Sequence, residues 1–414
     1  MKKTLVIFVL FNALLIGQTS EFEVFGEMPL PVAGGQAYVD MGNIYVLGGY
    51  SDSTQSNVNW IQKYSTFLQI WKLNVFMQHS RSGFVADRYE NSVVYWGGID
   101  DTGFTASSIE KWVLQDPPQV IGNNEHFKRI NSSGIIHNGY FYIIGGNSYM
   151  GFAGHQSYIV EYRISDGTVT YSDNYVYSTG DLPEQQMCAR LGDVIYIFGG
   201  IVNGVSQKIY AFNTLDHNIQ ELNTQLMIPR AGGVAIADQV NNQIYIIGGY
   251  NETSAALNTS EIFKFESGSY SINTGPGFLK ARRNFTGALV DNYIYILGGY
   301  DSNNDLVNKI ERYAITTSSA DNSAGSLFSF ELKQNFPNPF NPSTLIKWIS
   351  PSEELTSLII FDVLGNQVAA LINEVISAGE HEIVFDAAGL SSGTYFYQLK
   401  SGNYISTKKM IYLK

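Results

Sequence analysis

Eight residues of three types could bind an anionic or hydroxylated ligand, because they recur at similar places along the chain. Arginines precede runs of small and aliphatic residues in QHSRSG, HFKRINS, MIPRAGG and KARRNFTG, and tyrosine or asparagine follows several glycine pairs. Guanidinium groups bind carboxylates through paired hydrogen bonds, and a few well-placed phenol or amide groups suit sugar hydroxyls. The candidate ligand-binding residues are Arg81, Arg129, Arg230, Arg283, Tyr50, Tyr250, Tyr300 and Asn147.

These arginines also have a structural interpretation. Two corresponding positions lack arginine, with Val32 at one and Pro183 or Glu184 at the other. An arginine at such a place can donate to backbone carbonyls and brace the neighbouring repeat units of the fold. The residues alone leave both interpretations open.

The sequence gives little support for metal or covalent chemistry. No His-x-His pair or paired-cysteine spacing occurs, and the acidic residues of the loops lack calcium-loop spacing, so we expect them to be solvated. The single cysteine, Cys188, is expected to be a small buried hydrophobe, since no pair of histidines supports it. No nucleophile elbow or phosphate-binding loop is present. We therefore predict no metal, no cofactor and no assigned catalytic residue. The histidines are His79, His126, His137, His155, His217 and His381, and the loop acids are Asp52, Asp100, Asp101, Glu252, Asp301 and Asp305.

Composition narrows the partners further. The net charge of −12 argues against nucleic acid and anionic membrane surfaces. An aromatic content of 14% with 40 glycines favours an ordered, β-rich protein. A chain of 414 residues is long enough for about two domains.

A repeat of about 50 residues positions the candidate residues. Its signature is an apolar strand that carries tyrosine and ends in two glycines, as in NIYVLGGY and NQIYIIGGY. Each repeat adds a small-residue strand before it and two strands after it, which is the content of one propeller blade. Repeat two departs, with Tyr95 one place late and Val94 in the expected position, which we interpret as local repacking. The second glycines are Gly49, Gly98, Gly146, Gly200, Gly249 and Gly299, and the recurring tyrosines, predicted to fill the wedge between blades, are Tyr45, Tyr142, Tyr196, Tyr245 and Tyr295.

This motif resembles the kelch repeat, in which an aromatic residue follows the double glycine by some 12 to 16 positions. The resemblance implies a six-bladed β-propeller over residues 21–315, with EFEVFGEMPLP as the N-terminal strand that closes the last blade. In that family the loops after the double glycines and those before each first strand share one face. The arginines, tyrosines and asparagine should then surround one end of the central channel. The matching aromatics here are Tyr64, Trp112, Tyr162, Phe212, Phe265 and Tyr313.

The two ends of the chain predict export. Residues 1–20 have a Lys2–Lys3 start, an apolar stretch and a small polar exit, which is typical of a secretory signal peptide. Residues 316–327 are small and polar, which predicts a flexible linker. Residues 328–414 carry about seven short strands, which predicts a small immunoglobulin-like β-sandwich.

The tail resembles the type A C-terminal sorting domain of type IX secretion cargo. The resemblance rests on NFPNPFNPST, FDVLGNQV and AGEHEIVFDAAGLSSGTYFYQL. It implies a Gram-negative bacterium of the Bacteroidetes or a related lineage, passage through the periplasm, and delivery across the outer membrane by the secretion machinery. The alternative is an ordinary adhesion-type sandwich. The residues assigned to the sorting motif are Asn335, Pro337, Asn338, Pro339, Phe340, Asn341, Pro342, Gly365, Gly393 and Tyr395.

Two functions fit these features. The first is a non-catalytic secreted or cell-surface protein that binds a protein or glycan through the propeller loops, with no nucleic acid and no membrane-spanning segment. The second is a carbohydrate-active enzyme similar to the six-bladed kelch mutarotases that act on sialic acid. Glu184 with a loop arginine is its best candidate pair. The sorting tail and the lack of a clear acid–base pair favour the binding protein, although propellers host both functions.

Overall fold

A computed structural model describes residues 21–40, 42–66, 69–113, 116–123, 127–147, 159–171, 183–266, 268–315, 330–350, 353–401 and 404–414. The predicted signal peptide (1–20) and linker (316–327) lie outside these residues. The regular elements within them are β-strands. Over the same residues, no helix has the length and apolar character needed to cross a membrane.

Six four-stranded antiparallel sheets form the first domain, as the repeat predicts. Strand β1 (Glu23–Glu27) precedes them. Blade 1 contains β2 (Gln36–Asp40), β3 (Asn43–Leu47), β6 (Trp60–Ser65) and β7 (Ile70–Phe76), with a short hairpin, β4 (Tyr50–Ser51) and β5 (Ser56–Asn57), in its loop. Blade 2 contains β8 (Val85–Tyr89), β9 (Ser92–Trp96), β10 (Ser108–Val113) and β11 (Gln119–Asn123). Blade 3 contains β12 (Ser133–His137), β13 (Tyr140–Ile144), β14 (Val160–Arg163) and β15 (Val169–Tyr171).

The remaining blades repeat this arrangement from the axis outward. Blade 4 contains β16 (Met187–Leu191), β17 (Val194–Phe198), β18 (Ile209–Asn213) and β19 (Ile219–Glu221). Blade 5 contains β20 (Val234–Asp238), β21 (Gln243–Ile247), β22 (Ser260–Glu266) and β23 (Ser269–Thr274). Blade 6 contains β24 (Thr286–Val290), β25 (Tyr293–Leu297) and β26 (Lys309–Ala314), and β1 is its fourth strand.

Charge and stacking hold β1 in blade 6. Glu23 pairs in register with Arg312, and Glu27 with Lys309. The Arg312 guanidinium forms an ion pair with Glu23 at 2.7 Å and lies 3.8 Å from the centre of the Phe25 ring. The strand thereby covers the edge of β26 that would otherwise be open.

The double glycine is required by two close approaches, as Gly248 and Gly249 illustrate. Both have positive φ, +61° and +93°. A Cβ on Gly248 would lie 2.9 Å from the Arg282 carbonyl oxygen of blade 6, and a Cβ on Gly249 would lie 2.4 Å from the Ala231 carbonyl oxygen of its own blade. Only glycine tolerates both constraints, so the strand ends where the backbones converge.

The recurring tyrosines fill the wedges between blades, which confirms that prediction. Tyr45 contacts Trp112 of blade 2 with 5.3 Å between ring centres, and Tyr196 contacts Phe263 of blade 5 at 4.8 Å. The blade 5 aromatic is a correction: Phe263, fully buried, occupies the position assigned to Phe265. Phe263 pairs with Ile244 as Tyr64 pairs with Ile44, so Phe263 is the equivalent of Tyr64 and the aromatic lies two residues earlier than predicted.

The tail is a two-layer sandwich. One sheet contains β27 (Glu331–Leu332), β28 (Ser343–Ser350) and β31 (Gly379–Asp386), and the other contains β29 (Glu354–Phe361), β30 (Gln367–Ile376), β32 (Gly393–Ser401) and β33 (Tyr404–Tyr412). Trp348, Leu358 and Tyr397 belong to its buried core. The four-stranded sheet lies beneath blades 1 and 6, where Lys72 Nζ donates to the Leu364 carbonyl at 3.4 Å.

Candidate ligand site at the channel mouth

Six backbone positions, one from each blade, form a closed ring of hydrogen bonds around the central channel. In each blade the N–H donates to the carbonyl of the preceding blade, and the first blade donates to the sixth, with N···O distances of 2.7–3.0 Å. All six residues have positive φ, between 52° and 67°. The ring closes because there are six blades, and no blade position is left without a partner. Its members are Gly34, Gly83, Asn131, Gln185, Gly232 and Asn284.

The side chains of the ring are amides where they are not glycine. Gln185 is the least favourable residue for a left-handed backbone, since glycine and asparagine adopt it more easily. Its Oε1 accepts a hydrogen bond from the Tyr250 hydroxyl at 2.9 Å. The ring therefore carries polar amide side chains, and it lies next to a channel cavity of about 440 Å³.

Arg283 is the candidate arginine that lies at this mouth. Its guanidinium lies 6.0 Å from the centre of the Tyr250 ring and 5.4 Å from that of Tyr300. Its Nε donates to the Ala255 carbonyl at 3.0 Å, and Nη2 donates to Asn304 Oδ1. The cation is thus held by two aromatic rings and two loop acceptors while it stays partly accessible.

Charges of both signs surround the two tyrosines. Burial raises the pKa of Tyr250, the nearby Glu184 carboxylate raises it further, and Arg283 lowers it. Burial also raises the pKa of Tyr300 to about 12, with Asp52 and Tyr50 adding to the effect. Both phenols therefore stay protonated at neutral pH and can donate hydrogen bonds.

The last two candidate residues, Tyr50 and Asn147, differ in their positions. Tyr50 lines the channel cavity with Tyr300. Asn147 is exposed, and its backbone pairs with Ile130 in both directions at 2.8 and 2.9 Å.

The other three candidate arginines are not at the mouth, which corrects the expectation that all four point toward one end of the channel. Arg81 and Arg230 are fully buried, and Arg129 is 5% exposed. Arg129 Nη1 donates to the Gly145 carbonyl at 3.1 Å, and Arg230 Nη1 donates to the Gly248 carbonyl at 3.0 Å. These arginines brace the double glycine through backbone carbonyls, as the structural interpretation expected, but the carbonyls belong to their own blade and not to a neighbouring one.

Most of these braces include a buried glutamate from the third strand. Arg230 donates to Glu261 at 2.8 Å, and Glu261 also accepts the N–H groups of Met227 and Ile228. In blade 2, Arg81 forms an ion pair with Glu110, and the displaced Tyr95 donates to the same carboxylate at 2.8 Å. The displaced Tyr95 therefore donates a hydrogen bond to Glu110, and blade 2 keeps its four strands.

In blade 6 the brace is Arg282 rather than Arg283. Arg282 is fully buried and forms an ion pair with Glu311 at 2.5 Å. The register of the ring could have revealed this, because Arg81, Arg129, Arg230 and Arg282 each precede a ring residue by two positions.

Two loop acids are structural, contrary to the expectation that they are solvated. Asp301 is 5% exposed, forms an ion pair with Lys280 at 2.7 Å, and accepts the N–H groups of Asn303 and Asp305. Asp100 accepts the N–H groups of Thr102 and Phe104. These carboxylates shape the loops after the double glycine. Among the described residues, no group of three or more metal-ligating side chains occurs.

Cys188 lies on β16 beside the channel cavity. Burial raises the pKa of its thiol to about 12, so the thiolate is not populated near neutral pH.

Several residues of the sorting motif hold the sandwich domain together from within. Asn335 is 2% exposed and donates from Nδ2 to the Pro337 carbonyl and to Thr344 Oγ1. Asn338 Oδ1 accepts the N–H of Ile411 at 2.8 Å, which ties the motif to the last strand. Phe340 is buried in the sandwich core.

Of the other motif residues, Gly365 lies in a turn, Gly393 and the buried Tyr395 lie in β32, and the rest are exposed. Gly365 has a φ of +80° in the turn after β29, and Gly393 begins β32. The Tyr395 hydroxyl donates to the Ser391 carbonyl at 2.8 Å, an arrangement similar to a tyrosine corner. The exposed residues are Pro337, Pro339, Asn341 and Pro342.

Comparison with known proteins agrees with both domains. Residues 185–329 match the KLHDC2/KLHL20/DRC7 Kelch-repeats domain, and residues 334–413 match the Secretion system C-terminal sorting domain. The solved structure of YjhT superposes with a TM-score of 0.57 at 14% identity, over 72% of this chain and 98% of that one, which concerns the fold alone.

Several curated proteins are similar to this chain in sequence. The Kelch repeat and BTB domain-containing protein 1 of Camelpox virus (strain CMS) is 24% identical over 249 residues, 56% of this chain and 40% of that protein. Beta-scruin of Limulus polyphemus is 23% identical over 270 residues, 59% and 28% respectively. Kelch domain-containing protein 10 of Homo sapiens is 24% identical over 264 residues, 55% and 57%. The alignments therefore span only 28% to 57% of these relatives.

The fold and these matches define a kelch-repeat β-propeller joined to a C-terminal sorting domain. The sorting domain assigns the protein to the cargo of the type IX secretion system. It is therefore a secreted kelch protein, exported to the cell surface or beyond it.

Proposed function

We propose that this secreted propeller is a non-catalytic binding protein that holds the end of a glycan or an acidic protein segment at the channel mouth. The observation that supports this most directly is the cluster of Arg283, Tyr250, Tyr300 and Gln185 over the hydrogen-bonded ring. It offers a positioned cation, neutral phenols and an amide around one concave opening. Such groups suit carboxylates and hydroxyls.

A thermal-shift series on the full-length protein tests this proposal. The ligands are neutral sugars, sugars that carry a carboxylate, and acidic peptides. A ligand at 100 times its Kd stabilises the native state by about 2.7 kcal/mol, which a melting curve resolves. We expect Arg283→Ala to abolish the shift while the unliganded melting temperature is retained.

Arg163 provides the matched control. It also stacks on a tyrosine, 5.3 Å from the centre of the Tyr140 ring, but it lies in the outer part of blade 3. The Arg163→Ala variant should keep the ligand-induced shift. Loss of the shift in both variants, or in neither, would contradict binding at the mouth.

A second function is favoured by one observation, that Glu184 and Arg283 both lie close enough to Tyr250 to shift the pKa of its hydroxyl, in opposite directions. A carboxylate and a cation beside a sugar site could assist ring opening in a carbohydrate-active enzyme similar to the kelch-type sialic-acid mutarotases. The anomerisation rate of a bound sugar, followed by NMR, tests this idea. An unchanged rate in Glu184→Gln would exclude it and leave the binding proposal intact.

A further inference from the structure

The sorting motif divides into buried and exposed residues, and the exposed ones are apolar except for Asn341. Asn335, Phe340 and Thr344 are buried, whereas Phe336 is 79% exposed. Its neighbours Pro337 and Pro339 are exposed as well and have no N–H to donate. Apart from Asn341, the polar side chains of the motif are thus used inside the domain, and the outer surface around Phe336 offers few hydrogen bonds to a partner.

Phe336 stands on a rigid base. Its N–H donates to the Leu345 carbonyl at 3.0 Å, and its carbonyl accepts the Leu345 N–H at 2.9 Å. Leu345 pairs in turn with Val384, which is 63% exposed. Because paired residues point to the same side of a sheet, Phe336, Leu345 and Val384 form one apolar row across three segments. We call this the Phe336 row.

Charged residues flank the row on the same face: the Lys347–Glu382 pair lies on one side, and the exposed Asp386, which pairs with Ser343, lies on the other. The next pair along the sheet, Lys347 and Glu382, forms an ion pair at 2.7 Å. The residues that face the propeller, such as Leu364 and Gln398, belong to the other sheet or its turns. The described part of the propeller therefore leaves the row uncovered.

We propose that the Phe336 row is the surface through which the secretion machinery engages this domain, and that the machinery meets it with an apolar protein surface. The inference rests on the sorting role of the domain, because a sorting domain must be contacted by the machinery that exports it. An exposed aromatic ring on a fixed backbone with an aliphatic neighbour is a typical anchor for a protein partner.

The chain offers a matched control on the opposite sheet. Leu355 and Val375 are also a cross-strand pair, and each is 61% exposed. Substitution there removes a similar exposed apolar area without touching the Phe336 row.

The experiment measures export of the full chain in a bacterium with a working type IX system. Wild type, Phe336→Ser, Val384→Ser and Leu355→Ser are compared by the fraction of protein outside the outer membrane, and the melting temperature of each purified protein is recorded. We expect Phe336→Ser to reduce the exported fraction about tenfold, Val384→Ser to reduce it less, and Leu355→Ser to leave it unchanged. Periplasmic accumulation should match the loss.

Equal export of wild type and Phe336→Ser overturns the proposal, and so does an equal loss in Phe336→Ser and Leu355→Ser. If Phe336→Ser also lowers the melting temperature of the tail, Val384→Ser decides. A loss of export in Val384→Ser at unchanged stability supports the proposal, and normal export overturns it.

Discussion

Two adjacent arginines, Arg282 and Arg283, should respond oppositely to the same substitution. Arg282 is fully buried and donates to the carbonyls of Lys280, Gly298 and Lys309 as well as to Glu311. Arg283 is partly exposed at the mouth. Substitution of Arg282 should therefore change the stability of the propeller, whereas substitution of Arg283 should change ligand binding.

The expected magnitude follows from what Arg282→Ala leaves behind. Glu311 would remain fully buried with only the N–H groups of Leu279 and Lys280 as donors. Removal of one partner of a buried ion pair costs about 3–5 kcal/mol. For a domain of about 300 residues this lowers the melting temperature by about 5–8 °C. Arg283→Ala should cost less than about 1 kcal/mol, since its contacts are partly solvated.

Differential scanning calorimetry of the full chain is the suitable assay, because the tail provides an internal reference. The propeller transition should fall in Arg282→Ala, and the tail transition should not move. A double variant, Arg282→Met with Glu311→Leu, should recover most of the loss, because an apolar pair can replace a buried ion pair. A propeller transition in Arg282→Ala within about 1 °C of that in Arg283→Ala would refute the role assigned to the brace.

Three further outcomes are expected. Arg312→Ala should lower the stability of the propeller by about 1–2 kcal/mol, because it removes the stacking on Phe25 and the ion pair with Glu23. Hydrogen exchange of the β1 amides should become faster, and unchanged exchange would contradict this prediction. Burial raises the pKa of Asp87 to about 6, above its unfolded value of about 3.9. The contribution of this carboxyl group to the free energy of unfolding is therefore full below pH 4 and is lost as pH rises through 6. The free energy of unfolding of Asp87→Asn should depend less on pH between 4 and 7 than that of the wild type, and parallel curves would disprove this. Tyr397→Phe should destabilise the tail by about 1–3 kcal/mol, because the hydroxyl donates to the Lys333 carbonyl and accepts the Asn335 N–H. The fluorescence of Trp348 during urea unfolding measures this loss. An unchanged unfolding midpoint would contradict the role given to these two hydrogen bonds.

The sequence predicted the propeller well because its determinants are local. A strand with tyrosine at a fixed distance from two glycines encodes both the wedge packing and the close approach at Gly248 and Gly249. The same regularity predicts the blade number, and the hydrogen-bonded ring shows the closure in the structure.

The candidate site was predicted less well because burial depends on distant partners. Arg230, in the loop before β20, pairs with Glu261, which lies 31 residues later on β22. In blade 6 the adjacent Arg282 and Arg283 gave no local indication of which one is buried. The ring residues Gln185 and Asn284 were missed because their role arises from contacts between blades.

The direction in which the chain leaves the propeller has a consequence for how the protein works outside the cell. Ile315, just after β26, donates its N–H to the Asn292 carbonyl in the β24–β25 turn, at the end of the channel remote from Asn284 and the mouth. Whatever holds the tail therefore holds the propeller by its base. A cell that retains the protein through this end would present the opening toward the medium, and a long polymer could enter along the axis without passing the bacterial surface.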